Sequence, residues 1–159
     1  MTIKVALAGA GAFGIKHLDG IQNIPDVEVV SLISRDLAKT QEVADKYGIP
    51  HVTTKLEDSL AIKEVDAVIL CTPTQMHASQ SIACMEAGKH VQVEIPLCDV
   101  LADGEKVVAL QRQTGLVAMC GHTRRFNPSH QWVHKKVTAG EFNIQQMDVQ
   151  TYFFRRTNM

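Results

Sequence analysis

The chain has 159 residues, 45% of them apolar and 21% charged, with 16 lysines and arginines against 17 acidic residues. A formal net charge of -1 and a sequence pI near 6.6 lack the basic excess that a phosphate backbone demands, so nucleic acid is not expected as a partner. The longest apolar runs are too short to cross a bilayer, and Met1-Thr2-Ile3-Lys4 leads straight into a strand pattern. No membrane partner is expected, and the expected location is cytoplasmic.

Ile3 to Leu7 is an apolar run of strand formers that stops at Gly9, Gly11 and Gly14, spaced G-x-G-x-x-G, and a helix-compatible segment from Phe13 to Ile21 comes directly after. Strand, tight turn and helix in that order form a loop for a dinucleotide pyrophosphate. Gly9 makes the turn, Gly11 admits the anion to backbone N–H groups, and Gly14 lets the helix approach the strand. The first helical turn, with Ala12 and Phe13, offers unpaired N–H donors and the positive end of the helix dipole.

Val27 to Ile33 is a second strand, and the residues at its carboxyl end bear on the nucleotide. A dinucleotide fold places an acidic residue there for the ribose 2′-hydroxyl, or an arginine for a 2′-phosphate. The strand ends in Ser34-Arg35-Asp36, with Ser34 where the carboxylate would stand and Arg35 able to fork onto phosphate. NADP is expected. A one-residue shift that brings Asp36 to the ribose would give NAD instead, and Asp36 is equally a cap for the next helix.

Helices are expected over 37–47, 56–60, 75–87 and 101–113, and strands over 51–54, 67–71, 91–94 and 116–120. Strands alternating with helices imply an α/β fold, a doubly wound parallel sheet with right-handed crossovers. Thr72-Pro73 succeeds a fully apolar strand, at the carboxyl end where such sheets bind ligands. Cys71, Cys84, Cys98 and Cys120 have no C-x-x-C spacing and read as buried thiols. His130 and His134 lie one helical turn apart without an evident third ligand, so no metal is expected. Near Gly121 the pattern changes: 127–139 looks like an amphipathic helix, and 143–156 alternates as a strand with one buried face. The expected division is a nucleotide domain over 1–122 and, over 123–159, the beginning of a second, truncated α+β domain.

Four landmarks then come in order: the loop from Gly9 to Gly14; Leu70-Cys71-Thr72-Pro73 with His77; Ala87-Gly88-Lys89-His90-Val91 with Glu94-Ile95-Pro96 after it; and Gly121-His122 leading to Arg125-Phe126. Through them the chain resembles the N-terminal half of the glucose-fructose oxidoreductase/inositol dehydrogenase/MocA family of NAD(P)-dependent oxidoreductases. The resemblance implies a Rossmann fold with a substrate and oligomerisation domain after it, a CH–OH dehydrogenase, and a homo-oligomer. It places Thr72, Pro73, Gln75, His77, Glu94, Ile95 and Pro96 near the nucleotide. Most of the family has a lysine where this chain has Ile95, and isoleucine moves no proton.

Within the family, residues 88–97 and 121–128 most resemble an enzyme that oxidises a cyclic hemiacetal dicarboxylate with NADP. That implies a small dicarboxylate substrate. Arg124 and Arg125 are candidates to hold a carboxylate, and His122 is a candidate base in place of Ile95. His90 is expected to pack. Three other readings stay open: a catalytically silent NADP-binding module, another sugar or polyol dehydrogenase of the family, and a 143–154 strand that pairs with another chain.

Overall fold

The computed structural model describes residues 2–150 and 152. Residues Met1–Gly121 form one compact unit and His122–Met159 a second. In the first, β1 (Ile3–Ala8), β2 (Val27–Ile33), β3 (His51–Thr53), β4 (Ala67–Leu70), β5 (His90–Val93) and β6 (Ala118–Cys120) alternate with α1 (Ala12–Ile21), α2 (Leu37–Tyr47), α3 (Leu56–Leu60), α4 (Thr74–Glu86) and α5 (Leu101–Thr114). The six strands form one parallel sheet in the order β3-β2-β1-β4-β5-β6. This is the doubly wound Rossmann arrangement. Sequence order runs outward from β1 to β3, then resumes with β4 on the other side of β1, which opens a crevice at the carboxyl ends between them.

The central strands are apolar throughout because helices cover both their faces. Leu7 and Leu32 point to one side, where Leu18 of α1 and Ala44 of α2 meet them. Ala6, Ala8, Val68 and Leu70 join a larger cluster with Cys84, Met85 and Val107 from α4 and α5. At the base of the sheet Lys89 is buried, and its ammonium donates to the carbonyl oxygens of Ile62 at 3.1 Å and Val65 at 2.6 Å. A buried cation is tolerated there because backbone acceptors surround it.

Element ends are set by local chemistry. Asp36 caps α2, its Oδ1 accepting from the Lys39 N–H at 3.2 Å, and Gly48 closes the helix with φ 69°. β6 is shorter than the expected 116–120. The Val117 N–H turns to the His90 Nδ1 at 3.0 Å instead of a neighbouring strand. His90 is therefore an exposed acceptor at the sheet's end and not the packing residue expected. The four cysteines are all reduced thiols, but Cys84 is the buried one; Cys71, Cys98 and Cys120 are half-buried. Among the described residues no helix is long and apolar enough to cross a membrane.

The second unit holds a 3-10 turn, Thr123–Phe126, and α6, Pro128–Thr138, capped by the Asn127 side chain. The apolar face expected on this helix is not buried: Trp132 is 54% exposed and meets Phe142 edge to face with ring centroids 5.5 Å apart. Residues 143–150 form no strand, and positions 151 and 153–156 of the expected strand lie outside the described residues. An alternating segment becomes a strand only where another strand supplies the ladder, and Ile144, Met147 and Val149 remain exposed.

Candidate functional site

Gly9 leaves β1 with φ 108°, its N–H bonded to the Ile33 carbonyl on β2, so the turn bends over the crevice. A Cβ on Gly9 would lie 2.4 Å from the Cys71 carbonyl oxygen, and one on Gly14 only 1.8 Å from the Gly9 carbonyl oxygen. Both glycines are required by backbone contact. Gly11 differs: nothing lies within 4 Å of a Cβ there. That space faces the N-terminus of α1, where Ile15 is the first residue bonded back to the Gly11 carbonyl. The N–H groups of Ala12, Phe13 and Gly14 thus lack helical acceptors and are open to an anion. Phe13 is 62% exposed, with the Lys16 ammonium over its ring.

The cleft beside this loop has a volume of about 490 Å³ and is lined by Gly9, Gly11, Ser34, Arg35, Cys71, Thr72 and Pro73, together with Thr54, Leu56, Glu57, Met76 and Gln80. A glycine cradle, an open methyl-sized space and unpaired N–H donors fit a dinucleotide pyrophosphate. Arg35 lines the cleft while Asp36 is committed to its helix cap. Gln75 does not line it. The phase of α4 turns Met76 and Gln80 inward, four residues apart on one face, and Gln80 Oε1 accepts from the Thr72 hydroxyl at 2.6 Å. His77 lies beneath the loops and touches no cleft surface. It is buried, with Nε2 2.8 Å from the Thr72 carbonyl and Nδ1 2.7 Å from that of Pro96, so it ties the β4 and β5 loops together.

Across the switch point, Glu94 comes just after β5, and Ile95, 47% exposed, precedes Pro96 through a cis peptide bond. Glu94 is not open to a ligand on every side: its Oε1 lies 2.7 Å from Nε2 of His17 on the second turn of α1. The Cys71 sulfur joins this pair. Burial, and next the Glu94 carboxylate, push the Cys71 thiol up to about 12, which keeps it protonated at neutral pH. In the sequence His17 marks only a helix face. Its partner is 77 residues away, and no local spacing signals the pairing.

In the second unit Arg124 and Arg125 line a cavity of about 850 Å³ with His130, Gln131, His134 and Lys135. His130 Nδ1 lies 3.1 Å from the Arg124 carbonyl oxygen, and His122 is exposed at the start of the 3-10 turn, where its carbonyl accepts from the Arg125 N–H. The charge is uneven along the chain. Ten lysines and arginines meet 15 acidic residues up to Gly121, a formal -5, and six meet two beyond it, a formal +4.

The profile described as "Oxidoreductase family, NAD-binding Rossmann fold" matches residues 3–122, and one described as "Bacterial oxidoreductases, C-terminal" matches residues 128–159. The chain belongs to the glucose-fructose oxidoreductase/inositol dehydrogenase/MocA family. It is 67% identical over 157 residues to 4-carboxy-2-hydroxymuconate-6-semialdehyde dehydrogenase of Sphingobium sp., a match covering 99% of this chain and 50% of that protein. Among solved structures it is similar to scyllo-inositol dehydrogenase from Lactobacillus casei with bound NAD(H) and scyllo-inositol, at 26% identity and TM-score 0.85, covering 89% of this chain and 42% of that one. It is also similar to a 3-ketoreductase from Actinomadura kijaniata in complex with TDP-benzene and NADP, at 26% identity and TM-score 0.80, covering 88% and 44%. The chain thus spans about half the length of the curated relative, or less in the solved structures. The family's description is of an NAD-binding Rossmann fold, and the two solved structures hold different nucleotides, NAD(H) in one and NADP in the other.

Proposed function

We propose that this chain is the nucleotide-binding half of an NADP-dependent dehydrogenase. Its proposed reaction is oxidation of the cyclic hemiacetal of 4-carboxy-2-hydroxymuconate-6-semialdehyde to 2-pyrone-4,6-dicarboxylate, a step of protocatechuate 4,5-cleavage. The observation that carries the substrate is the 67% identity to the Sphingobium dehydrogenase. The observation that supports NADP is the division of labour after β2, where Arg35 lines the cleft and Asp36 caps α2. A guanidinium there would fork onto a 2′-phosphate.

A bound nicotinamide supplies the hydride acceptor. This chain's residues orient and hold charge. The N–H groups of residues 12–14 take the pyrophosphate, and Gly11 keeps the approach open. Arg124 and Arg125 are proposed to hold substrate carboxylate, in a cavity whose charged lining groups are basic. Ile95 takes no proton, and His122, exposed and two residues before Arg124 in sequence, is the proposed base.

NAD is the second reading, and Glu57 favours it, because a carboxylate lining the same cleft is an acceptor for ribose hydroxyls. Titration of the chain with NADPH and NADH, monitored by nicotinamide fluorescence, separates the two. A charge-assisted phosphate contact is worth about 1.5–3 kcal/mol, so NADPH should bind at least tenfold tighter and Arg35→Asp should abolish that preference. Tighter NADH binding by the parent chain, or a preference untouched by Arg35→Asp, would refute the NADP reading.

A further inference from the structure

Three donors of different chemistry converge where α1 meets the carboxyl ends of β4 and β5, and one of them, Cys71, also lines the glycine-loop cleft. His17 comes from α1, Cys71 from the end of β4 and Glu94 from the end of β5, and one ligand atom of each lies within 4.8 Å of the other two. All three are half-buried, with 24% of the His17 and 14% of the Glu94 side chain accessible. Next to them Gly121 carries no side chain. A Cβ there would lie 3.2 Å from Glu94 Oε1 and 2.8 Å from Gln92 Nε2. The carbonyl oxygen of that same Gln92 side chain is buried with no hydrogen-bond partner among the described residues. A buried acceptor without a donor is uncommon and calls for an occupant that can donate to it.

We propose that His17, Cys71 and Glu94 form a binding site for one thiophilic divalent cation, with Zn²⁺ as the best match. One imidazole, one thiolate and one carboxylate are zinc donors, whereas Mg²⁺ and Ca²⁺ require near-complete oxygen shells. Ligand atoms at tetrahedral zinc, with bonds of about 2.0–2.3 Å, sit roughly 3.3–3.8 Å from one another. The 2.7 Å contact between His17 and Glu94 must therefore open by about 0.6 Å, and the other separations, all within 4.8 Å, must close by at most about 1.5 Å. Side-chain rotation supplies both. Three protein ligands leave a fourth position for water.

The proton balance is defined. Zinc forms a bond to Cys71 Sγ as the S–H bond breaks, and the thiol proton goes to solvent. The hydrogen shared by His17 Nε2 and Glu94 Oε1 leaves that contact for Nδ1 or for solvent, and the metal takes its place. No electrons are transferred. The result is a cross-link between α1, β4 and β5 beneath the nucleotide loop, formed from side chains that sequence separates by 54 and 23 residues.

Cadmium is the probe, because its thiolate charge-transfer absorption reports sulfur ligation directly. The reduced, metal-free chain titrated with Cd²⁺ should develop this band with saturation at about one equivalent. Cys71→Ser should abolish it, Cys120→Ser should retain it, and His17→Gln and Glu94→Gln should each weaken binding at least tenfold. One equivalent of Zn²⁺ should raise the melting temperature of the parent and of Cys120→Ser, and leave that of Cys71→Ser unchanged. The proposal is overturned by the absence of a band in the parent, by a full band in Cys71→Ser, or by unchanged affinity in both His17→Gln and Glu94→Gln. Circular dichroism checks that each variant is folded. If Cys71→Ser is not, the His17 and Glu94 variants decide.

Discussion

Gly11 and Gly14 share a motif, yet replacing each with alanine should fail in a different way. At Gly14 a Cβ would lie 1.8 Å from the Gly9 carbonyl oxygen and 3.2 Å from Leu7 Cδ2, where ordinary contact begins at 3.4 Å. About 1.6 Å must open between α1 and the turn, and the obstacle is backbone that cannot rotate away. Overpacking a tight site costs about 1–3 kcal/mol, and a backbone obstacle places this one at the upper end. The better helix propensity of alanine returns at most about 1 kcal/mol. The net expectation for Gly14→Ala is a loss of about 2–3 kcal/mol, or roughly 4–12 °C in Tm for a domain of this size. At Gly11 nothing lies within 4 Å of a Cβ, and φ -82° with ψ -168° is extended backbone open to any residue. Gly11→Ala should stay within about 1 kcal/mol of the parent, the cost of a poorer helix cap. Its methyl group nevertheless stands where the pyrophosphate must approach the N–H donors, so NADPH affinity should fall at least tenfold. Urea unfolding by far-ultraviolet circular dichroism measures the first effect and nicotinamide fluorescence the second. A Gly14→Ala chain as stable as the parent, or a Gly11→Ala chain that binds NADPH unchanged, would refute the assignment of separate roles.

Asp36→Ala should cost about 1 kcal/mol of stability through loss of the α2 cap and leave the ratio of NADPH to NADH affinity as it was. A large rise in NADPH preference would show instead that Asp36 faces the ribose. Cys84 gives a pH prediction. Burial pushes its thiol from 9.0 up to about 12, so the unfolded chain loses this proton first as pH rises. Its contribution is complete below pH 9 and is lost as pH climbs from 9 towards 12, with a slope of about 1.4 kcal/mol per pH unit within that window. Cys84→Ala should be less stable than the parent at pH 7 because of the cavity, and should lose stability more gently above pH 9. Parallel curves for the two proteins in urea unfolding at pH 8 to 10.5 would refute it.

Much of the first unit is legible along the chain. α2 falls on the residues that its packing positions and caps mark, because helix signals are local. Asp36 offers an oxygen three residues before the N–H it captures, and Gly48 provides the left-handed closure. The site is less legible wherever it depends on rotation about an element's axis. Gln75, two residues after Pro73, is not among the residues that line the cleft, whereas Gln80 is, a matter of helix phase that a motif does not specify. Glu57 and Leu56 reach the same cleft from α3 because β3 pairs beside β2, a neighbour relation set by the sheet.

By itself, the sequence determined the order of strands and helices in the first unit, the glycine turn between β1 and α1, and the arginine after β2. Each of these is a statement about residues within one or two turns of each other, where backbone geometry and spacing suffice. Only the tertiary structure decided that His77 ties the Thr72 and Pro96 loops together, and that His17, Cys71 and Glu94 meet. A parallel sheet gathers the carboxyl ends of strands that are far apart in the chain, so the contacts made there depend on strand order and helix packing.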